Sequence, residues 1–258
     1  MGKSAFVKQN FENFYKMQKF MYFVGGNVFF VIKAKKMLAL LVVLIVFSVM
    51  FFANAYKTEY VSSDSVTKFT VVVDAGHGGV DGGSIGKTTH VKESDLNLQY
   101  AKKLKEYLTN AGIKVVMTRT TSDGLYDTGS KNLKKSDMQK RKHIIEKSNP
   151  NCVVSIHMNS FRLASSKGAQ TFYKKGSVLG KNLADCIQKQ FISALPHAKK
   201  TTLSGDYFMV NCTDTPSVIV ECGFISNPEE EKLLQQENYK NNVCYLIMCG
   251  VLEYLNSK

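Results

Sequence analysis

Six cysteines stand at positions 152, 186, 212, 222, 244 and 249, yet no two share the C-x-x-C spacing. That absence argues against a zinc knuckle and against a thioredoxin-like redox pair. Cys152, Cys222, Cys244 and Cys249 lie in apolar contexts and read as small buried hydrophobes. Arginine-rich blocks are also missing, although the net charge is +13. Residues 1–60 hold eight lysines and two glutamates, for +6, and residues 61–258 carry the remaining +7. A basic excess spread in this way fits an anionic polymer or a membrane surface and argues against nucleic acid as a partner. There are no internal repeats and no second folded module. At 258 residues, 44% hydrophobic and 21% charged, the chain has the composition of an ordinary globular protein. Its length suits one sizeable domain with a tail, or two small domains.

The tail comes first. Residues 1–36 form a basic extension, interrupted by an apolar stretch from Phe20 to Ile32 with Gly25-Gly26 in its middle. That stretch is too short to span a bilayer. Lys33, Lys35 and Lys36 then precede an uncharged apolar run from Met37 to Phe52, followed by Ala53-Asn54-Ala55. This is the layout of a secretory signal with a small-residue cleavage site, or of an uncleaved anchor. Residues 37–55 are therefore expected to be a signal peptide or membrane anchor, with the remainder exported to the cell envelope. A start at Met17 or Met21 would give the basic region a more usual length. Residues 56–67 are polar and read as a linker.

From residue 68 to 258 apolar, strand-like runs alternate with helix-like segments. Strands are expected at 69–73, 113–118, 152–157, 169–173, 206–210 and 217–221. Helices are expected at 94–111, 136–148, 177–194, 227–236 and 238–255, the first with Ser94 as its N-cap and Gly112 closing it. Such alternation implies a single α/β domain. Its six-stranded sheet should be largely parallel or mixed, with helices on both faces. Sites in sheets of this kind lie beyond the C-terminal ends of the strands.

Four side chains meet that description. His77 follows the first strand in Val71-Val72-Val73-Asp74-Ala75-Gly76-His77-Gly78-Gly79. His157 closes the third strand, Glu221 closes the sixth, and Glu93 stands at the start of the first helix. Two imidazoles and a carboxylate make a zinc ligand set with a fourth position left for water. A further carboxylate, Glu221, is placed to take a proton and pass it to a leaving nitrogen. Each residue also has an ordinary structural role open to it. His77 could cap a turn, Glu93 could favour the helix N-terminus, His157 could be a bonded core histidine, and Glu221 could pair with a lysine. His90 is the main rival ligand, while His143 and His197 read as surface residues. The glycine-rich stretch after the first strand fails as a phosphate loop, because no helix follows it directly and position 81 is aspartate.

The ordered motifs Asp74-Ala75-Gly76-His77-Gly78-Gly79, Lys92-Glu93, Ser155-Ile156-His157-Met158-Asn159-Ser160 and Val220-Glu221-Cys222-Gly223-Phe224-Ile225-Ser226-Asn227 resemble the zinc-dependent N-acetylmuramoyl-L-alanine amidases of the Amidase_3 family. The resemblance covers about residues 69–255. It implies zinc held by His77, Glu93 and His157, with Glu221 as the catalytic carboxylate. It implies hydrolysis of the amide between muramic acid and L-alanine in peptidoglycan. Arg141, Asn159 and Asp74 are candidate substrate-binding or ligand-supporting residues. Met158, where relatives often have a small residue, is expected to narrow the site. A domain that follows its membrane segment directly, without wall-binding repeats or a regulatory helix, resembles a sporulation form that prepares cortex muramic acid for muramic-δ-lactam. An activator protein in the envelope is a further expected partner. The rival functions are a zinc peptidase cutting peptide cross-links and a catalytically silent wall-binding protein on the same fold.

Overall fold

The computed structural model describes residues 21–24, 27–30, 41–48 and 68–257. The chain divides into two compact units, Met1–Ser65 and Val66–Lys258. In the first, β1 (Met21–Val24) and β2 (Asn27–Phe30) pair antiparallel with Met21 opposite Phe30. They fall inside the apolar stretch with the Gly-Gly pair. A helix, α1, covers 41–48 and exposes its apolar side chains. The rest of the basic extension, the flanks of the 37–55 segment and the 56–67 linker lie outside the described residues. Among the described residues no helix is long and apolar enough to cross a membrane.

The second unit is built on β3 (Thr70–Ala75), β4 (Lys114–Met117), β5 (Cys152–Asn159), β6 (Gln170–Lys174), β7 (Leu203–Gly205) and β8 (Ser217–Phe224). Their order across the sheet is β4-β3-β5-β8-β6-β7. The first four are mutually parallel, and β6 pairs antiparallel with β8 and parallel with β7. The sheet is thus mixed and mostly parallel. The helices are α2 (Glu93–Asn110), α3 (Leu133–Ser148), α4 (Val178–Ala194), α5 (Phe208–Asn211), α6 (Pro228–Leu234) and α7 (Glu237–Asn256).

Strand side chains alternate between faces. Val71, Val73, Val154, Ile156, Val218 and Val220 enter the larger core, against α2, α4 and α7. Leu96, Tyr100, Leu104 and Leu108 on α2 are all buried there, at the helical spacing visible in the sequence. Val72, Val153 and Ile219 point the other way and meet Ile145 of α3 with Met209 and Val210 of α5 in a smaller cluster. Cys152, Cys222 and Cys244 are buried, and Cys249 is half-buried.

Two expectations fail locally. The run 206–210 is not a strand. β7 ends at Gly205, Asp206 accepts from the Asn211 amide at 2.7 Å, and the turn between them is helical. A short apolar run fits either state, and here the adjacent Met209 and Val210 both bury against the sheet. Ser94 is not the N-cap of α2. Lys92 holds that position in extended backbone, no side chain caps the helix, and Glu93 is its first residue. The carboxylate therefore sits within the first helical turn, and its direction is fixed by the helix.

Candidate metal centre

β3, β5 and β8 run parallel, with Asp74 beside Ser155 and His157 beside Glu221. Asp74, Ser155, His157, Ile219 and Glu221 share the face that α3 covers. The side chains at the strand ends therefore emerge together, next to the smaller cluster. The register of β5 against β8 shifts between His157 and Asn159, an irregularity just beyond the site, and pairing resumes at Asn159 and Phe224.

His77, Glu93 and His157 converge, with one ligand atom from each lying within 4.8 Å of the others. Glu93 Oε1 lies 3.1 Å from His77 Nε2 and 2.9 Å from His157 Nδ1. Its Oε2 accepts from Ser84 N at 2.9 Å, and Asn97 Nδ2 contacts Oε1 at 3.3 Å. Burial pushes the Glu93 carboxyl up, but the hydrogen bonds and charges of His157 and His77 outweigh it and hold it well below the usual range. Burial likewise lowers His77, and the carboxylates of Glu93 and Asp81 more than reverse that, so the imidazole is raised overall. Asp81 reaches His77 Nδ1 at 3.0 Å and fixes the ring so that Nε2 faces Glu93. The rings of His77 and His157 stand edge to face, 4.9 Å apart. Gly76 admits this packing, since a Cβ there would lie 2.2 Å from His157 Nε2.

Glu221 is the opposite kind of carboxylate. Its Oε2 is shielded and has no hydrogen-bond partner among the described residues. Burial drives its carboxyl up to about 7, opposed by His157 and reinforced by Glu93. A shielded, unbonded acid beside a charged donor set is what a proton-transfer group needs.

The loop that presents His77 is held from below. His77 has φ of +58°, a region that costs a non-glycine residue about 1–3 kcal/mol unless its surroundings hold it there. Arg141 is fully buried. It donates to His77 O at 2.6 Å and Ala75 O at 2.7 Å, and pairs with Asp74 and Asp137 at 2.6 Å each. Arg119 donates to Ala75 O and Gly76 O, both at 2.9 Å, and to Ser94 O at 2.8 Å. Three consecutive carbonyls of the histidine loop are thus bound by two guanidiniums. Asp74 is equally buried and also accepts from Thr118 and Ser155. Burial raises its carboxyl, and Arg141 with the two hydroxyls brings it below the usual range.

Asn159 is half-buried and lines a cleft of about 480 Å³ with Ser84, Ser160, Tyr207 and Glu221. A second cavity of about 290 Å³, lined by Met138, Tyr207, Phe208 and Ile219, also reaches His77 and His157. Met158 is among the residues lining the cleft that holds Asn159, although it is 2% exposed. Its side chain is buried in the larger core, and only its backbone N reaches Glu93 Oε1, at 3.3 Å. His90, His143 and His197 are exposed, and none belongs to the cluster. Sequence reasoning missed Arg119, Asp81 and Tyr207. Arg119 follows the C-terminal end of β4, so the rule that singled out the histidines points to it as well.

The family model for N-acetylmuramoyl-L-alanine amidase, Amidase_3, matches residues 71–253, which span every element of this site. The chain belongs to that family. It is 31% identical over 215 residues to the germination-specific N-acetylmuramoyl-L-alanine amidase of Bacillus subtilis, covering 79% of this chain and 90% of that one. The CwlD amidase from Clostridioides difficile, solved in complex with the GerS lipoprotein, superposes with a TM-score of 0.70 at 35% identity, covering 74% of this chain and 100% of that one. The catalytic domain of CwlV, an amidase from Bacillus (Paenibacillus) polymyxa, superposes at 0.65 with 31% identity, covering 74% and 99%. The chain is thus an amidase of peptidoglycan, and its place of action is the cell envelope.

Proposed function

We propose that this enzyme hydrolyses the amide between N-acetylmuramic acid and L-alanine with zinc held by His77, Glu93 and His157. The observation that carries this is Glu93 Oε1 lying about equally close to an imidazole nitrogen of each histidine. Two neutral imidazoles and one carboxylate, with a shielded carboxylate alongside, fit a catalytic zinc. Zinc bound there would polarise the scissile carbonyl and acidify water. Glu221 takes the proton from the attacking water and delivers it to the departing amide nitrogen. Asp81 keeps His77 turned so that Nε2 faces the metal position, a support that commonly raises ligand affinity. Arg141, Arg119 and Asp74 act as positioning residues for the histidine loop, and Asn159 faces substrate from the cleft.

Residues 68–258 form the catalytic domain in this reading, and residues 37–55 a signal or anchor that keeps it in the envelope. The similarity to a germination-specific amidase supports a role in spore cortex, where freed muramic acid becomes muramic-δ-lactam. The relative solved with a lipoprotein supports an envelope partner for this chain too. The test is digestion of purified peptidoglycan by the zinc-loaded protein, read by mass spectrometry. Peptides with a free N-terminal L-alanine and unsubstituted muramic acid are expected. Cut cross-links with intact muramoyl amides would sink the reading. Replacing His77, Glu93 or His157 with alanine should lower bound zinc.

A further inference from the structure

The segment between the two metal-site residues His77 and Glu93 folds into a short ribbon. Gly86 N donates to Val91 O at 2.9 Å, Glu93 N donates to Ser84 O at 2.8 Å, and Ile85 bridges Lys92. The base of this ribbon carries Glu93 and the Ser84 N–H that binds it. Its far end, Lys87–His90, is exposed and turns at His90 with φ of +58°. A solvent-exposed turn of this length has little apolar surface of its own to hold it.

One buried carboxylate ties it down. Glu231, on the first turn of α6, is fully buried. Its Oε2 accepts Thr88 N at 2.9 Å. Its Oε1 accepts Thr89 N at 2.5 Å and Thr89 Oγ1 at 2.7 Å. The fit is close, because a Cβ on Gly86 would lie 2.3 Å from Glu231 Oε1. The preceding residue, Glu230, faces a different loop. It accepts Phe224 N at 2.7 Å and Gly168 N at 2.8 Å, and Phe224 ends the strand that carries Glu221. α6 itself is fixed at both ends. Asn227 Oδ1 accepts Glu229 N and Glu230 N, and Tyr100 OH donates to Leu234 O.

We propose that Glu231 is a positioning residue for the metal, pinning the Lys87–His90 turn so that the ribbon presents Glu93, while Glu230 serves the Glu221 strand instead. Two adjacent carboxylates on one helix thus set the two halves of the site separately, one for metal affinity and one for turnover. This rests on the zinc reading above. A carboxylate with no contact to the metal governs how tightly the metal is held, because the exposed turn, once its N–H groups lose their buried acceptor, is free to open and carry the ribbon with it.

The experiment measures zinc affinity of the full chain by competition with a chromophoric chelator, alongside kcat on peptidoglycan. Glu231→Gln should weaken zinc roughly tenfold, the low end for supporting partners of metal ligands. Glu230→Gln should leave zinc affinity unchanged and lower kcat. Thr89→Val removes the hydroxyl's bond to Glu231 and the bond it accepts from Gln235 Nε2 at 2.9 Å, leaves both main-chain bonds to Glu231, and should weaken zinc by a smaller factor. That variant decides the matter if Glu231→Gln does not fold. Unchanged zinc affinity in either folded variant overturns the proposal, as does equal weakening by Glu230→Gln. Glu93→Ala separates the two readings. If it keeps zinc, the ligand assignment itself is wrong. If it loses zinc while Glu231→Gln does not, only the role of Glu231 falls.

Discussion

On one face of the central sheet, β-branched residues of β3, β5 and β8 meet α2, α4 and α7 in a continuous apolar core. On the other, the same strands alternate Val72, Val153 and Ile219 with Asp74, Ser155, His157 and Glu221, under the thinner cover of α3 and α5. The first face is held by area removed from water, which is tolerant of detail and contributes about 25 cal/mol per Å². The second is held by directed contacts to charged groups, where one missing partner leaves a buried charge exposed to a low dielectric. The proposed zinc site is on the second face, where a metal would find polar groups at fixed angles, and Arg141 and Arg119 supply that rigidity. Substitutions on the two faces should therefore fail differently.

The largest effect is expected at Glu221, the proposed proton-transfer group of the polar face, which contributes little to stability. Glu221→Gln keeps the size and removes the basicity. Turnover should fall by about 10²–10⁴-fold, the usual contribution of a positioned acid–base group. Zinc content and melting temperature should stay near wild type, since Oε2 has no hydrogen-bond partner among the described residues to lose. Near-normal turnover with zinc intact would remove Glu221 as the base. Loss of zinc in the same variant would make it a ligand.

Arg141→Met tests whether the polar face supports its own loop. The substitution strands Asp74 without its cation and leaves the carbonyls of Ala75 and His77 short of a donor. Breaking a buried pair on one side typically costs about 3–5 kcal/mol. Denaturant titration should show that loss, and zinc affinity should fall with it because His77 relaxes from its positive φ. A stable Arg141→Met protein with normal zinc affinity would mean that Arg119 alone suffices.

What the sequence made legible divides along the same line. The apolar face was readable because burial leaves periodic marks. The stripe Leu96, Tyr100, Leu104, Leu108 sits where its spacing puts it, and the β-branched runs 71–73 and 218–220 are buried strands. The cluster of His77, Glu93 and His157 was readable because His77 follows β3, His157 lies near the end of β5 and Glu93 begins α2. The supports were less so. Arg119 reaches across 43 residues to Gly76 O, and Glu231 across 142 to Thr89 N, and both act on main-chain atoms that carry no residue identity. The run 206–210 was misread because its buried side chains are adjacent, a pattern that favours neither period. Met158 borders the cleft, as its position suggests, yet the strand's alternation turns its side chain into the larger core.

Gly250→Ala is the corresponding probe of the apolar face. A Cβ there would meet Ile187 Cα at 2.6 Å and Ile187 N at 2.8 Å, so α7 and α4 would have to separate. Overpacking of this kind costs about 1–3 kcal/mol, partly offset by the roughly 1 kcal/mol that alanine gains over glycine in a helix. The melting temperature should drop while zinc affinity and kcat hold, because no element of the site leans on this contact. A loss of zinc affinity in a folded Gly250→Ala protein would show that the two faces are coupled.

The smallest effect expected is in the acid range, and it isolates the Asp74 pair. The folded carboxyl lies below its ordinary value of 3.8, mainly because the Arg141 charge and the Ser155 and Thr118 hydroxyls overcome the effect of burial. A carboxyl depressed in the folded state contributes stability that is fully present above the unfolded pKa. That stability is lost as pH falls from there through the folded pKa. Stability should therefore be insensitive to this pair above about pH 5, and decline below about pH 4 by at most about 1.4 kcal/mol per pH unit. Asp74→Asn in the Arg141→Met background removes both charges at once, and should flatten that part of the acid limb relative to wild type. The measurement is urea unfolding of the metal-free protein at stepped pH, so that ligand protonation does not enter through zinc. An unchanged acid limb in the double variant would place the acid sensitivity on other carboxylates.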